Sequence, residues 1–148
     1  MNLKKVLTKD SILPHLKAET KSAAIEEMVD FLVWSGNITD RDPVLKAVLS
    51  REEKMSTGMQ NGIAIPHGKT DSVNQLKVAV AIKPEGIDFD ALDGQPCKIF
   101  VMTLSPENRA GPHIQFLAEI SKLLGSEDLR TKLVEAQNAD EILNLLTA

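Results

Sequence analysis

The chain has 148 residues, 43% of them hydrophobic, which suits one buried core and one domain over 1–148. Seventeen basic side chains against twenty-one acidic ones leave a net charge of −4, which argues against nucleic acid as a partner, because that binding rests on neutralising phosphates. Aromatics make up only 3% and tyrosine is absent, so base-stacking platforms are disfavoured too.

The elements read as follows from the N-terminus. Met1 to Asp10 carries three lysines and no apolar core, so no signal peptide is expected. Thr20 suits the N-cap of a helix whose apolar positions Ala24, Ile25, Met28, Val29 and Leu32 recur at helical spacing, and Gly36 stands where it should stop. Asp42-Pro43 reads as N-cap and first position of a second helix, with Val44, Leu45, Val48 and Leu49 inward and Arg51 at the edge of that stripe. Ser56 to Gly62 is a loop. Ile63 to Ile65 reads as a buried strand that Pro66 ends, since proline donates nothing to a ladder.

Strand patterns follow. Lys77 to Lys83 is apolar on both faces and suits a central strand, Ile87 to Phe89 a short edge strand, and Asp93-Gly94 a turn. Lys98 to Leu104 is a second two-sided strand. Gly111-Pro112 opens a helix with Ile114, Leu117, Ile120 and Leu124 inward. Ser126 caps a helix through Leu133 and Val134, and Asn138 with Glu141 forms a capping box for a last helix that buries Ile142, Leu143, Leu145 and Leu146. Helices interleaved with strands specify a single α/β layered domain with a mixed central sheet. No apolar run approaches a membrane span, and the lone Cys97 permits no internal disulfide, so a cytoplasmic protein without membrane insertion is expected.

The most informative stretch is Asn61-Gly62-Ile63-Ala64-Ile65-Pro66-His67-Gly68. It sets His67 at the end of the strand, where side chains leave the core, and Gly68 has no Cβ to keep a bulky partner from the ring. The same position also suits a histidine that merely caps a strand. His113 follows Pro112, in the first turn of its helix and on its inward face. The partial positive charge there disfavours imidazolium and favours a neutral ring that donates one N–H. A hydrogen-bonded core histidine fits equally well. His15 has no polar companions in sequence and reads as surface or structural. Arg51 precedes the loop that leads to His67, where a guanidinium can fork onto an oxyanion, or simply lay its stem over apolar surface. Thr57 and Gly58 in that loop are further candidates for phosphate contacts.

Other chemistry finds less support. There is no Walker-type phosphate loop, no GxGxxG, no HExxH and no CxxC. His67, His113 and Cys97 lack the spacing of zinc ligands, and Cys97 reads as packing at the start of a strand. No G-x-S-x-G stands on a strand-to-helix turn, which weakens a hydrolase reading.

Leu49-Ser50-Arg51-Glu52-Glu53, Ser56-Thr57-Gly58 and the block from Asn61 to Gly68 together resemble the signature of type-2 IIA domains of the bacterial phosphoenolpyruvate-dependent sugar phosphotransferase system, in its mannitol/fructose class. Asp88 to Pro96, and His113 with Leu117 and Leu124, resemble that family's later blocks, so the likeness covers nearly the whole chain. The resemblance implies a mixed sheet flanked by helices and a phosphocarrier that takes a phosphoryl group from phospho-HPr and passes it to a IIB component. It implies that His67 is the phosphorylated nucleophile, on Nε2, that His113 is the second active-site histidine, and that Arg51 balances the phosphoryl charge. No metal or small cofactor is implied, because the donor is a protein. The same family includes nitrogen-regulatory IIA proteins, whose phosphorylation state controls partner proteins, and the active-site block alone does not separate the two roles.

Overall fold

The computed structural model describes residues 2–148. Its centre is β5 (Cys97–Ser105), buried along its length except at Lys98. Such a strand must be covered on both faces. β4 (Lys77–Ile87) pairs with it antiparallel, from Lys77 opposite Leu104 to Ile87 opposite Cys97. A short β1 (Ile12–Leu13), which follows the one-turn helix α1 (Leu3–Val6), lies parallel to β4 on its outer side. On the other side of β5 run β2 (Ile63–Ala64) and β3 (His67–Lys69), both parallel to it. The sheet is therefore mixed, as the alternation of elements requires.

Side-chain alternation on β4 and β5 divides the core in two. Ala79, Ala81, Phe100, Met102 and Leu104 face α2 (Lys21–Ser35) and α3 (Arg41–Lys54), against Met28, Val29, Leu32, Val44 and Val48. Val78, Val80, Ile82, Ile99 and Val101 face the opposite layer, where α4 (Gly111–Leu124), α5 (Glu127–Glu135) and α6 (Ala139–Thr147) contribute Phe116, Ile120, Leu133, Ile142 and Leu146. Among the described residues, no helix is long and apolar enough to cross a membrane.

Several boundaries differ from the sequence reading. Helix α3 starts at Arg41 with Asp40 as N-cap, so Pro43 is the third helical residue rather than the first. A first-turn N–H has no intrahelical partner, so proline costs nothing there. The earlier start brings Arg41 onto Asp30 and Glu26 of α2, which ties the two helices together. Ile87 is the end of β4 beyond a register irregularity, not the start of an edge strand, and Phe89 is buried in the core rather than paired. On α4, Ile120 and Leu124 are buried and Leu117 half-buried as expected, but Phe116 takes the inward place assigned to Ile114, which is 63% exposed. The expected capping box on α6 is split. Asn138 accepts from the Glu141 N–H, but Glu141 returns its bond to the N–H of Gln137, one residue earlier.

Pro66 does not end the edge strand. The residue offset to β5 is the same for Ile63 opposite Ile99 and His67 opposite Thr103, so β2 and β3 are one strand in one register. Pro66 removes a donor, but its carbonyl still accepts from the Thr103 N–H at 3.2 Å. Pairing resumes at His67, which is thus held in a ladder instead of standing loose at a strand end.

Candidate active site

In-register pairing fixes the direction of His67. Thr103 follows Ile99 and Val101 on the α4 face of β5, and His67, directly opposite Thr103, is on that face as well. Gly68, opposite Leu104, faces α3 instead. A Cβ on Gly68 would come within 3.0 Å of the Val48 backbone nitrogen and 3.1 Å of the Ala47 carbonyl carbon. This glycine lets helix α3 lie directly on the strand; the expected role of admitting a partner to the ring is not what its surroundings require.

The His67 ring is half-buried, and its Nδ1 lies 3.0 Å from the carbonyl oxygen of Ile65. A carbonyl only accepts, so the bond holds the ring proton on Nδ1 and leaves the Nε2 lone pair unprotonated. His113, in the first turn of α4, brings its ring to 5.3 Å from that of His67, centroid to centroid and tilted by 38°. His113 is 8% exposed, and its Nδ1 meets the hydroxyl of Thr103 at 2.9 Å. Its pKa is pushed down, first by burial and then by the neighbouring His67 and Lys69. That direction agrees with the neutral ring expected from the sequence, with desolvation as its main cause.

On the α3 side, Arg51, Lys54, His67, Gly68 and Lys69 line a recess of about 460 Å³. Arg51 donates from Nη1 to the carbonyl of Met55 at 2.7 Å, at the C-terminal end of α3. That bond anchors one arm of the guanidinium. Among the described residues no carboxylate forms an ion pair with Arg51, Lys54 or Lys69. Three uncompensated cations beside one imidazole, on a chain of net charge −4, form a local positive field suited to an anion.

Thr57 and Gly58 are not at this recess. The Thr57 N–H and hydroxyl donate to Glu52 at 2.7 and 2.6 Å, and the Gly58 N–H donates to the Ser56 hydroxyl at 3.0 Å. Gly58 also bridges to Ala64 of β2 and has no room for a Cβ beside Phe89 and Ala91. Every donor the sequence offered to a phosphate here is spent on the protein itself. Buried Glu52, which also holds Lys21 Nζ at 2.9 Å, organises the loop. His15 is exposed and makes none of these contacts. Cys97 is buried, with its thiol pushed up to about 11, chiefly by desolvation, which suits packing and not reactivity.

The sequence reading missed Lys54, Lys69, Thr103 and the Ile65 carbonyl. Lys69 had a usable signal, two residues past His67 and hence on the same face of a strand. Lys54 follows Arg51 by one helical turn. Thr103 and Ile65 act through strand pairing and backbone direction, which no local pattern announces.

The sequence model of the family described as phosphoenolpyruvate-dependent sugar phosphotransferase system, EIIA 2, matches residues 5–148. A fructose-specific EIIA component from Haloferax volcanii is 44% identical over 127 residues, covering 86% of this chain and 82% of that protein. Nitrogen regulatory protein IIA-Ntr from Neisseria meningitidis superposes with a TM-score of 0.89 at 28% identity, covering 98% of this chain and 99% of that one. The IIA chain in a complex of enzyme IIAMTL with phosphorylated enzyme IIBMTL from Escherichia coli superposes with a TM-score of 0.82 at 27% identity, over 95% of this chain and 96% of that one. This chain belongs to the EIIA 2 family of the phosphoenolpyruvate-dependent sugar phosphotransferase system.

Proposed function

We propose that the chain is the phosphocarrier of a fructose/mannitol-class sugar phosphotransferase system and that Nε2 of His67 is the atom that carries the phosphoryl group. The observation that carries this reading is the Nδ1 bond to Ile65, which leaves Nε2 as the nucleophilic nitrogen beside His113 and the cationic recess. The Nε2 lone pair attacks phosphorus, and the P–N bond of the donor phosphohistidine on HPr breaks with its electron pair returning to the donor ring. The proton stays on Nδ1 and is donated in a hydrogen bond to the Ile65 carbonyl, which stabilises the positive charge that builds on the ring. Transfer of this kind needs positioning and stabilisation of spread negative charge more than covalent help. His113 supplies a hydrogen bond to the phosphoryl oxygens, and Arg51, with Lys54 and Lys69, balances their charge. The acceptor is a IIB component, in line with IIAMTL, which shares this fold and is found in complex with phosphorylated IIBMTL.

A regulatory role is the second reading, favoured by the end-to-end likeness to IIA-Ntr. The chemistry at His67 is common to both. A phosphoryl group adds about −1.5 to −2 charges to the recess, enough to change what docks there. The 44% identity to a fructose-specific component weighs toward transport.

The test is incubation with phosphoenolpyruvate, enzyme I and HPr, followed by addition of a fructose-class IIB. Wild type should gain an acid-labile phosphate on His67 and pass it on, and His67→Ala should gain none. Equal labelling of the variant would overturn the carrier assignment. Labelling of wild type without transfer to any sugar-specific IIB would turn the reading to regulation.

A further inference from the structure

Thr103 is 1% exposed, and the only side-chain bond of its hydroxyl among the described residues is the 2.9 Å contact with His113 Nδ1. The hydroxyl can donate to that nitrogen or accept from it. If His113 Nδ1 were the donor, the hydroxyl proton of Thr103 would be buried with nothing to receive it, which the packing of polar groups disfavours. If Thr103 donates, both groups are satisfied, and the proton of the neutral imidazole must lie on Nε2.

Strand pairing makes this consequential. Thr103 is the in-register partner of His67 across the β3–β5 ladder. One residue of β5 thus stands beside the carrier histidine through the backbone and beside the second histidine through its side chain. The two rings receive opposite instructions from the scaffold. The Ile65 carbonyl keeps the proton of His67 on Nδ1, and the Thr103 hydroxyl keeps that of His113 on Nε2. Of the two rings, one then presents a lone pair and the other an N–H, the complementary pair that a phosphoryl group passing onto His67 requires.

We propose that Thr103 is a positioning residue that fixes His113 as its Nε2–H tautomer, so that His113 donates to the phosphoryl group carried by His67. The proposal rests on the carrier reading above. No proton changes owner in the step: His113 lends a hydrogen bond as the new N–P bond forms on His67 and the donor's N–P bond breaks.

Two measurements on the full chain test it. Nitrogen-15 imidazole spectra of the wild type should show His113 as the Nε2–H form with a hydrogen-bonded Nδ1. In Thr103→Val the Nδ1 resonance should move toward that of an unbonded ring nitrogen, and transfer from phospho-HPr should slow about tenfold, as the donor loses its fixed orientation. Thr103→Ser, which keeps the hydroxyl, should restore both. An Nδ1–H tautomer in the wild type, a wild-type rate in Thr103→Val, or a slow but folded Thr103→Ser would each overturn the proposal. If Thr103→Val does not fold, the wild-type spectrum and Thr103→Ser decide. Failure of wild type to accept phosphate at all would instead refute the carrier reading, and the spectra would still report on Thr103.

Discussion

Gly68 and Val48 are in such close contact that a single added methyl would crowd α3: the Cβ would sit 3.0 Å from the Val48 backbone nitrogen and 3.1 Å from its Cγ2. The listener to that contact is α3, which holds Arg51 one turn further along. Gly68→Ala should push α3 off the edge strand and cost about 1–3 kcal/mol by overpacking. At this chain length each kcal/mol lowers Tm by roughly 3 °C. Calorimetry checks the stability, and a Tm within 1 °C or so of wild type would show that α3 yields freely.

Buried Glu52 accepts from both donors of Thr57 and from Lys21. Removing a partner from such a group leaves the others unsatisfied in a dry site. Glu52→Ala should cost roughly 3 kcal/mol and release the Ser56–Gly62 loop, seen as faster amide exchange at Thr57 and Ile65, whose N–H bonds to the Thr57 carbonyl. Glu52→Gln, which keeps an acceptor, should lose less. Unchanged exchange at Thr57 in the alanine variant would remove Glu52 as the organiser of this loop.

The strongest periodic signals were legible in the sequence: the stripe of α2 with its Thr20 cap, the two-sided strands β4 and β5, and the Ser126 and Asn138 caps are found as expected. So was the pairing of His67 with His113, though from the resemblance of the motifs and not from spacing. What remained hidden has one physical origin. Strand register places Thr103 against His67, and a resumed ladder after Pro66 orients the ring; both depend on residues far apart in sequence. Local rules also misjudged Thr57 and Gly58. A loop rich in glycine and hydroxyls offers donors on paper, but here the buried carboxylate of Glu52, three residues past Leu49 on α3, claims both donors of Thr57, and the Ser56 hydroxyl takes the Gly58 N–H. The α4 phase slipped for a similar reason, since Ile114 is apolar yet faces outward beside the site.

Arg51 has one arm on the Met55 carbonyl, which leaves the rest of the guanidinium for the recess it shares with His67. Lysine has a single point charge and cannot hold a carbonyl and an anion in one planar fork. Arg51→Lys should slow phosphoryl transfer by about tenfold or more while changing stability by about 1 kcal/mol or less. Rapid-quench transfer from phospho-HPr measures the first and urea unfolding the second. Equal rates would dismiss any role for the fork, and a large stability loss with a normal rate would make Arg51 a helix cap alone.

His113 supplies the pH dependence. An unfolded histidine titrates near about 6.5, and in the fold burial, then His67 and Lys69, hold this ring's pKa lower. Between the two values the unfolded chain binds more protons than the native one, so stability rises with pH across that window. The contribution of the neutral ring is complete above about 6.5 and is lost as pH falls through the folded value, with a slope of at most about 1.4 kcal/mol per pH unit. Urea midpoints measured from pH 8 down to pH 5 should therefore fall more steeply for wild type than for His113→Gln, which cannot titrate. Phosphorylation of His67 adds negative charge beside the ring, opposes the field of Lys69, raises the folded pKa toward the unfolded value and should make the wild-type decline smaller. Parallel curves for wild type and variant would mean that His113 titrates alike in both states, and that the site does not hold the ring neutral.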